Sequence, residues 1–116
     1  MRYGLILILA LSPDFALANE LDLPKERIEA GRNLYIEKCA RCHGKDAAGG
    51  NAPDIQGILE KDVEEAARGV EAMPEIALSE VEAGHIGIFL MSIAPDQACL
   101  RLSIRGSSER YGCVAE

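Results

Sequence analysis

Apolar positions fall at helical intervals in two stretches of this chain, one on each side of a glycine-rich middle. In the first, Ile28, Gly31, Leu34 and Tyr35 recur at three- and four-residue steps, which predicts one face of a helix running to about residue 40. Pro24 suits its first position, with Asp22 just ahead as a cap. Gly31 costs about 1 kcal/mol relative to alanine inside a helix, and so predicts close contact with another backbone. In the second stretch, Ser79 followed by Glu82 is a capping-box signature. It opens a helix to about residue 93, with Val81, Ile86, Phe89, Leu90 and Ile93 inward, and Pro95 stops it. A weaker box, Asp62 with Glu65, predicts a short helix over 63–68 closed by Gly69. Gly44, Gly49, Gly50, Asn51, Pro53 and Gly57 predict a loop wrapped around something. Beyond Pro95, Leu100, Leu102 and Ile104 alternate with Arg101, Ser103 and Arg105, which predicts a short strand and turn.

The start of the chain has another pattern. Arg2 gives a positive beginning, residues 5–11 are an apolar run, and Ala16, Leu17 and Ala18 fit a small-residue cleavage site. Residues 1–18 are therefore expected to be a cleaved signal peptide, with an uncleaved anchor or a buried helix as the alternatives. The run is well short of the roughly 20 residues a membrane span needs, and Pro13 and Asp14 break any continuation of it. Cleavage after Ala18 would leave one domain that does not span a membrane, delivered to the periplasm.

Charge narrows the partners. The formal charge of the 116 residues is −7, which argues against nucleic acid, because phosphate binding needs a basic surface. Its distribution is uneven. Basic residues concentrate between Lys25 and Lys45, and acidic ones between Glu60 and Glu82, so the molecule is expected to be a dipole.

The strongest chemical signal is Cys39-Ala40-Arg41-Cys42-His43. Two thiols three residues apart near a helical turn can each add to one vinyl group of the same haem, and the adjacent histidine is then placed beneath the iron. A thioredoxin-like pair would want a βαβ context, which is absent, and would not need His43. A zinc site could recruit Cys39, Cys42, Cys99 and Cys113, but the spacing of the second pair is unlike a zinc knuckle. An export signal favours haem, since covalent attachment of this type occurs outside the cytoplasm. Composition points the same way. With the leader set aside the aromatic residues are Tyr35, Phe89 and Tyr111, and there is no tryptophan. So small a domain often needs a cofactor or a disulfide to be stable, and a large flat apolar macrocycle would supply the missing interior.

Several motifs in order now resemble the small class I, mono-haem cytochromes c. They are Gly31-Arg-Asn-Leu-Tyr35, Cys39-Ala-Arg-Cys-His-Gly44, Asn51-Ala-Pro-Asp-Ile55 with Gly57, and Gly69-Val-Glu-Ala-Met-Pro74. Ser79-Glu80 ahead of Ile86 and Phe89-Leu90 completes the set, and the resemblance covers about residues 27–94. It implies an all-α fold, three to four helices around one covalently bound haem c, whose first and last helices cross where Gly31 and Tyr35 meet Ile86, Phe89 and Leu90. It implies that the Pro53 carbonyl accepts a hydrogen bond from the His43 ring nitrogen facing away from iron, which fixes the tautomer and ring plane. It also implies that Met73 is the second axial ligand, with Met91 and His85 as competitors. A thioether is a soft, neutral ligand that favours ferrous iron. His43 and Met73 are close in sequence for this family, so less chain would cover the haem on the Met side.

Cys99 and Cys113 lie outside the resemblance. An even leftover pair in an exported protein usually forms a disulfide, so residues 96–116 are expected to be a short clipped extension of a cytochrome domain at 19–95. The expected function is a periplasmic one-electron carrier, not an enzyme, monomeric or in transient complex with a donor dehydrogenase and an acceptor oxidase or reductase. The alternatives are a haem subunit held in a dehydrogenase or oxidase complex, and a ligand-binding haem protein. Lys38, Arg41 and Lys45 are expected to rim the haem edge, with the acidic stretch on the Met side.

Overall fold

A computed structural model of the chain describes Gly4 and residues 20–113. The expected signal peptide, Gly4 apart, lies outside the described residues. Among the described residues five α-helices come in succession: α1 (Lys25–Lys38), α2 (Ala40–His43), α3 (Glu60–Ala67), α4 (Glu80–Ile93) and α5 (Pro95–Ile104). A 3₁₀ turn (Ser108–Tyr111) closes the described chain. Among the described residues the only extended pairing is an isolated bridge between Val70 and Met73. The fold is all-α, as expected.

The crossing of α1 and α4 is set by Gly31. A β-carbon there would lie 1.8 Å from the His85 carbonyl oxygen and 2.9 Å from Phe89 Cβ, so only glycine lets the two backbones meet. One turn on, the Tyr35 and Phe89 rings pack with centroids 5.4 Å apart and planes tilted by 45°, a favourable aromatic geometry. Tyr35, Ile86 and Leu90 are almost completely buried in the core that also holds Cys39, Val63 and Phe89.

α4 begins where the sequence places it. Glu82 N–H donates to Ser79 Oγ at 3.1 Å, and Ser79 N–H donates to Glu82 Oε1 at 3.0 Å. This reciprocal pair satisfies two donors that the first helical turn leaves free, and the Ser79 amide first, then the Ser79 hydroxyl, hold the Glu82 carboxyl below the usual range. Its inward face is broader than expected. Ala83, Gly84, Gly87, Ile88 and Met91 are buried beside Ile86, Phe89 and Leu90, whereas Val81 and Ile93 are exposed. α4 runs through the middle of the fold: α1 and α3 pack on it, and a second cluster of Leu59, Met91, Ala98 and Leu102 forms at its end.

Other local expectations are corrected. α3 starts at Glu60, three residues earlier than expected, with Leu59 at the cap position. Asp62 is therefore the acid that reaches back, accepting from Leu59 N–H at 3.3 Å. Pro24 is the cap residue of α1, without a side-chain cap bond, and the Asp22 amide donates instead to the Tyr111 carbonyl at 3.0 Å. The expected strand after Pro95 is helix α5, with Pro95 in its first turn. Its buried residues are Ala98, Cys99 and Leu102, at helical spacing, while Leu100 and Ile104 point outward. Cys99 and Cys113 are joined as a disulfide with Cα atoms 5.7 Å apart. Leu21 and Leu23 of the lead-in pack on the same second cluster as Tyr111 and Cys113.

Candidate haem site

The end of α1 and the short α2 deliver the cysteine motif. Cys39 closes α1, its amide donating to Tyr35 O at 2.8 Å, and its carbonyl accepts from the amides of Cys42 and His43 at 3.2 and 3.1 Å. This single turn puts Cys39, Cys42 and His43 on one wall. Gly44 ends the turn at φ 85°, where a β-carbon would lie 2.7 Å from the Gly49 carbonyl oxygen. The chain then doubles back: the amides of Gly49 and Ala52 donate to the carbonyls of His43 and Cys42 at 2.9 and 3.0 Å. That fold-back brings the Pro53 carbonyl 2.8 Å from His43 Nδ1. A carbonyl only accepts, so Nδ1 carries the proton, and in the neutral imidazole Nε2 is then the nitrogen whose lone pair is free for a metal.

Across the cavity stands the loop after α3. Gly69, at φ 97°, ends the helix, and the Met73 amide donates to Val70 O at 2.8 Å, closing a tight turn that carries Met73. The Ile76 amide returns to Ala67 O at 2.8 Å. Glu71 in this turn holds a left-handed backbone, φ 48°, uncommon for a side chain that is not glycine. Cys39, Cys42, His43, Pro53 and Met73 thereby share one cavity of about 390 Å³. Ile55, Ile58, Val63, Ile86 and Leu90 supply much of its apolar wall. Met91 and His85 do not line it: Met91 is buried in the second cluster, and the His85 carbonyl faces Gly31.

The electrostatics disfavour a thiol-redox reading. Burial pushes the Cys39 thiol up to about 11, with Lys38 opposing and Cys42 adding to the rise, whereas a reactive Cys-x-x-Cys pair has a lowered thiol pKa. Cys39 and Cys42 are free thiols. Among the described residues, Glu71 is the only acidic or basic residue besides His43 on the cavity wall; Lys38, Arg41 and Lys45 do not line it. Two free thiols, an imidazole with one nitrogen already engaged and a thioether, all facing an apolar cavity, are a donor set that fits a haem c. The loop apolar residues Val70, Ile76 and Leu78 also line it. Val70 stands alone and Ile76 and Leu78 make a two-residue alternation too short to read as an element, so pattern reading passed them over.

The sequence model of the family described as "Cytochrome C oxidase, cbb3-type, subunit III" matches residues 26–90. The chain belongs to this cytochrome c family. As a cytochrome c it is a haem-binding, electron-transfer protein. Among solved structures, cytochrome CL from the marine methylotrophic bacterium Methylophaga aminisulfidivorans MPT is similar to it, with a TM-score of 0.54 and 23% sequence identity. The similarity covers 79% of this chain and 71% of that one, and at this identity it bears on the fold alone. This cytochrome c and its structural neighbour thus share an all-helical fold. No curated protein sequence matches the chain.

Proposed function

We propose that this cytochrome c carries single electrons between redox enzymes of a bacterial periplasm. Cys39 and Cys42 would hold one haem c through thioethers, and His43 and Met73 would ligate its iron. The observation that carries the reading is the convergence of these four side chains on one apolar cavity, with His43 Nδ1 held by the Pro53 carbonyl at 2.8 Å. When bound, the haem supplies one-electron ferric/ferrous chemistry.

The chain's own residues do the rest. Cys39 and Cys42 fix the cofactor and His43 presents Nε2. The bond from Nδ1–H to Pro53 orients the ring and makes it a stronger base. Met73 offers a soft, neutral sulfur that favours the ferrous state. The aliphatic wall from α3, α4 and the 55–58 segment excludes water, which also raises the potential by penalising the more highly charged ferric state. Among the described residues no helix is long and apolar enough to cross a membrane. The proposed partners are redox proteins, an electron donor and an electron acceptor.

A second reading, a haem subunit held permanently in an oxidase or dehydrogenase complex, is favoured by the family's description as an oxidase subunit. Two measurements test these readings. A reversible one-electron titration in the visible range, with no carbon monoxide adduct of the reduced protein, supports the His/Met carrier; a ready adduct contradicts it. Size exclusion of material from its native source then separates the two forms. Elution at the mass of the single chain supports the free carrier, and co-elution with oxidase or dehydrogenase subunits supports the second reading.

A further inference from the structure

The loop that presents Pro53 to His43 is secured from several directions. The Ile55 amide donates to Ala47 O at 2.9 Å, and the Gln56 amide turns back on Asp54 Oδ1 at 2.8 Å. The Gln56 side chain donates Nε2 to Asp46 O at 2.9 Å, and the Gly57 amide donates to Leu90 O of α4 at 2.9 Å. The remaining tether comes from α5, where Arg101 Nη1 donates to the Gln56 carbonyl at 3.2 Å. Gly57, at φ 74°, is pressed against the start of the same helix. A β-carbon there would lie 2.7 Å from Gln97 Cβ and 2.9 Å from the Ala94 carbonyl oxygen. α5 lies outside the residues 26–90 that the family model matches.

We propose that Arg101 is a positioning residue for the histidine side of the haem, acting through Gln56 on the loop that delivers the Pro53 carbonyl to His43. The inference rests on the reading of His43 as an iron ligand. A guanidinium-to-carbonyl bond is charge-assisted and stronger than a neutral one. Gln56 is three residues from Pro53, and the turn closed by Asp54 stiffens the stretch between them. A displacement at Gln56 is therefore passed to Pro53 instead of being absorbed. The Pro53–His43 bond makes the imidazole a stronger base, and a stronger base favours ferric iron. Loosening the loop should weaken that bond and raise the reduction potential. The helix beyond the family match then belongs functionally to the haem site.

The test uses the haem-loaded protein and compares Arg101→Met, Arg101→Leu and Arg101→Lys with the parent. The first readout is the solvent-exchange rate of the His43 Nδ1 proton, tracked by NMR in the ferrous form; the second is the reduction potential. Arg101→Met and Arg101→Leu should each speed exchange several-fold and shift the potential upward, and Arg101→Lys should stay close to the parent in both. Loss of the Arg101 charge alone would shift the potential downward, so the sign separates positioning from charge. Should Arg101→Met fail to fold, Arg101→Leu carries the same comparison. Unchanged exchange in the neutral variant, with the potential unchanged or shifted downward, would overturn the proposal. Failure of the underlying haem reading would show earlier, in the parent's own optical spectrum.

Discussion

The Tyr35 hydroxyl donates to the carbonyl of Gly44 at 2.6 Å, tying the buried face of α1 to the residue just after His43. Burial raises the phenol to about 12, with Cys39 and Asp46 adding and the Ala47 amide opposing. Tyr35 therefore stays a neutral donor while an unfolded chain's tyrosine ionises near 10. Between those values the unfolded state binds fewer protons than the native one, so stability falls as pH rises. Tyr35→Phe should lose about 1–2 kcal/mol at neutral pH, by leaving the Gly44 carbonyl without its partner. It should also flatten the decline between about pH 10 and 12. Denaturant melts across that range check both; an equally steep alkaline decline in the variant would contradict the assignment.

Gly31→Ala tests the helix crossing. Its β-carbon would fall 1.8 Å from a carbonyl oxygen of α4, and backbone cannot step aside as a flexible side chain can. Overpacking of this kind costs about 1–3 kcal/mol, which thermal unfolding of the haem-loaded protein would register as a lowered midpoint. An unchanged midpoint would mean that the helices cross elsewhere.

Much of this was readable in advance, for identifiable reasons. Gly31 was informative because glycine inside a helix is costly unless something fills the space. The Ser79–Glu82 pair was informative because capping is local. Cys39, Cys42 and His43 need only one turn of chain, so their chemistry is local too. What the sequence concealed was long-range. Leu100, Leu102 and Ile104 alternate like a strand, yet α5 buries Ala98, Cys99 and Leu102, two of them small residues that pattern reading does not count as core. Asp22 looked like a cap because nothing nearby reveals that its amide is taken by Tyr111. Val81 and Ile93 looked inward because the period does not show where the neighbouring helices stop.

Met73 and Met91 make opposite predictions. Met73→Ala should lower the reduction potential, abolish the red-region band of methionine-ligated ferric haem and let carbon monoxide bind the ferrous form. Met91 is 1% exposed, so Met91→Ala should cost about 2–5 kcal/mol of stability while leaving the spectrum intact. Optical spectra and melts of both variants decide the matter, and exchanged outcomes would move the ligand to Met91.

The Cys99–Cys113 bridge closes a loop with a sequence separation of 14, for which chain entropy predicts about 3 kcal/mol. Replacing both cysteines by serine should lower the thermal midpoint. The potential should hold, because Arg101 still reaches Gln56 in the folded protein. Two titratable free thiols in native, air-purified protein would contradict the bridge.

The central claim is a single haem held covalently by Cys39 and Cys42. Mass spectrometry of the matured protein after acid–acetone extraction tests it most directly. The account predicts one haem retained per chain, on the peptide containing Cys39 and Cys42, in a polypeptide beginning near Asn19. Haem removed by the extraction, or zinc in its place, would contradict it.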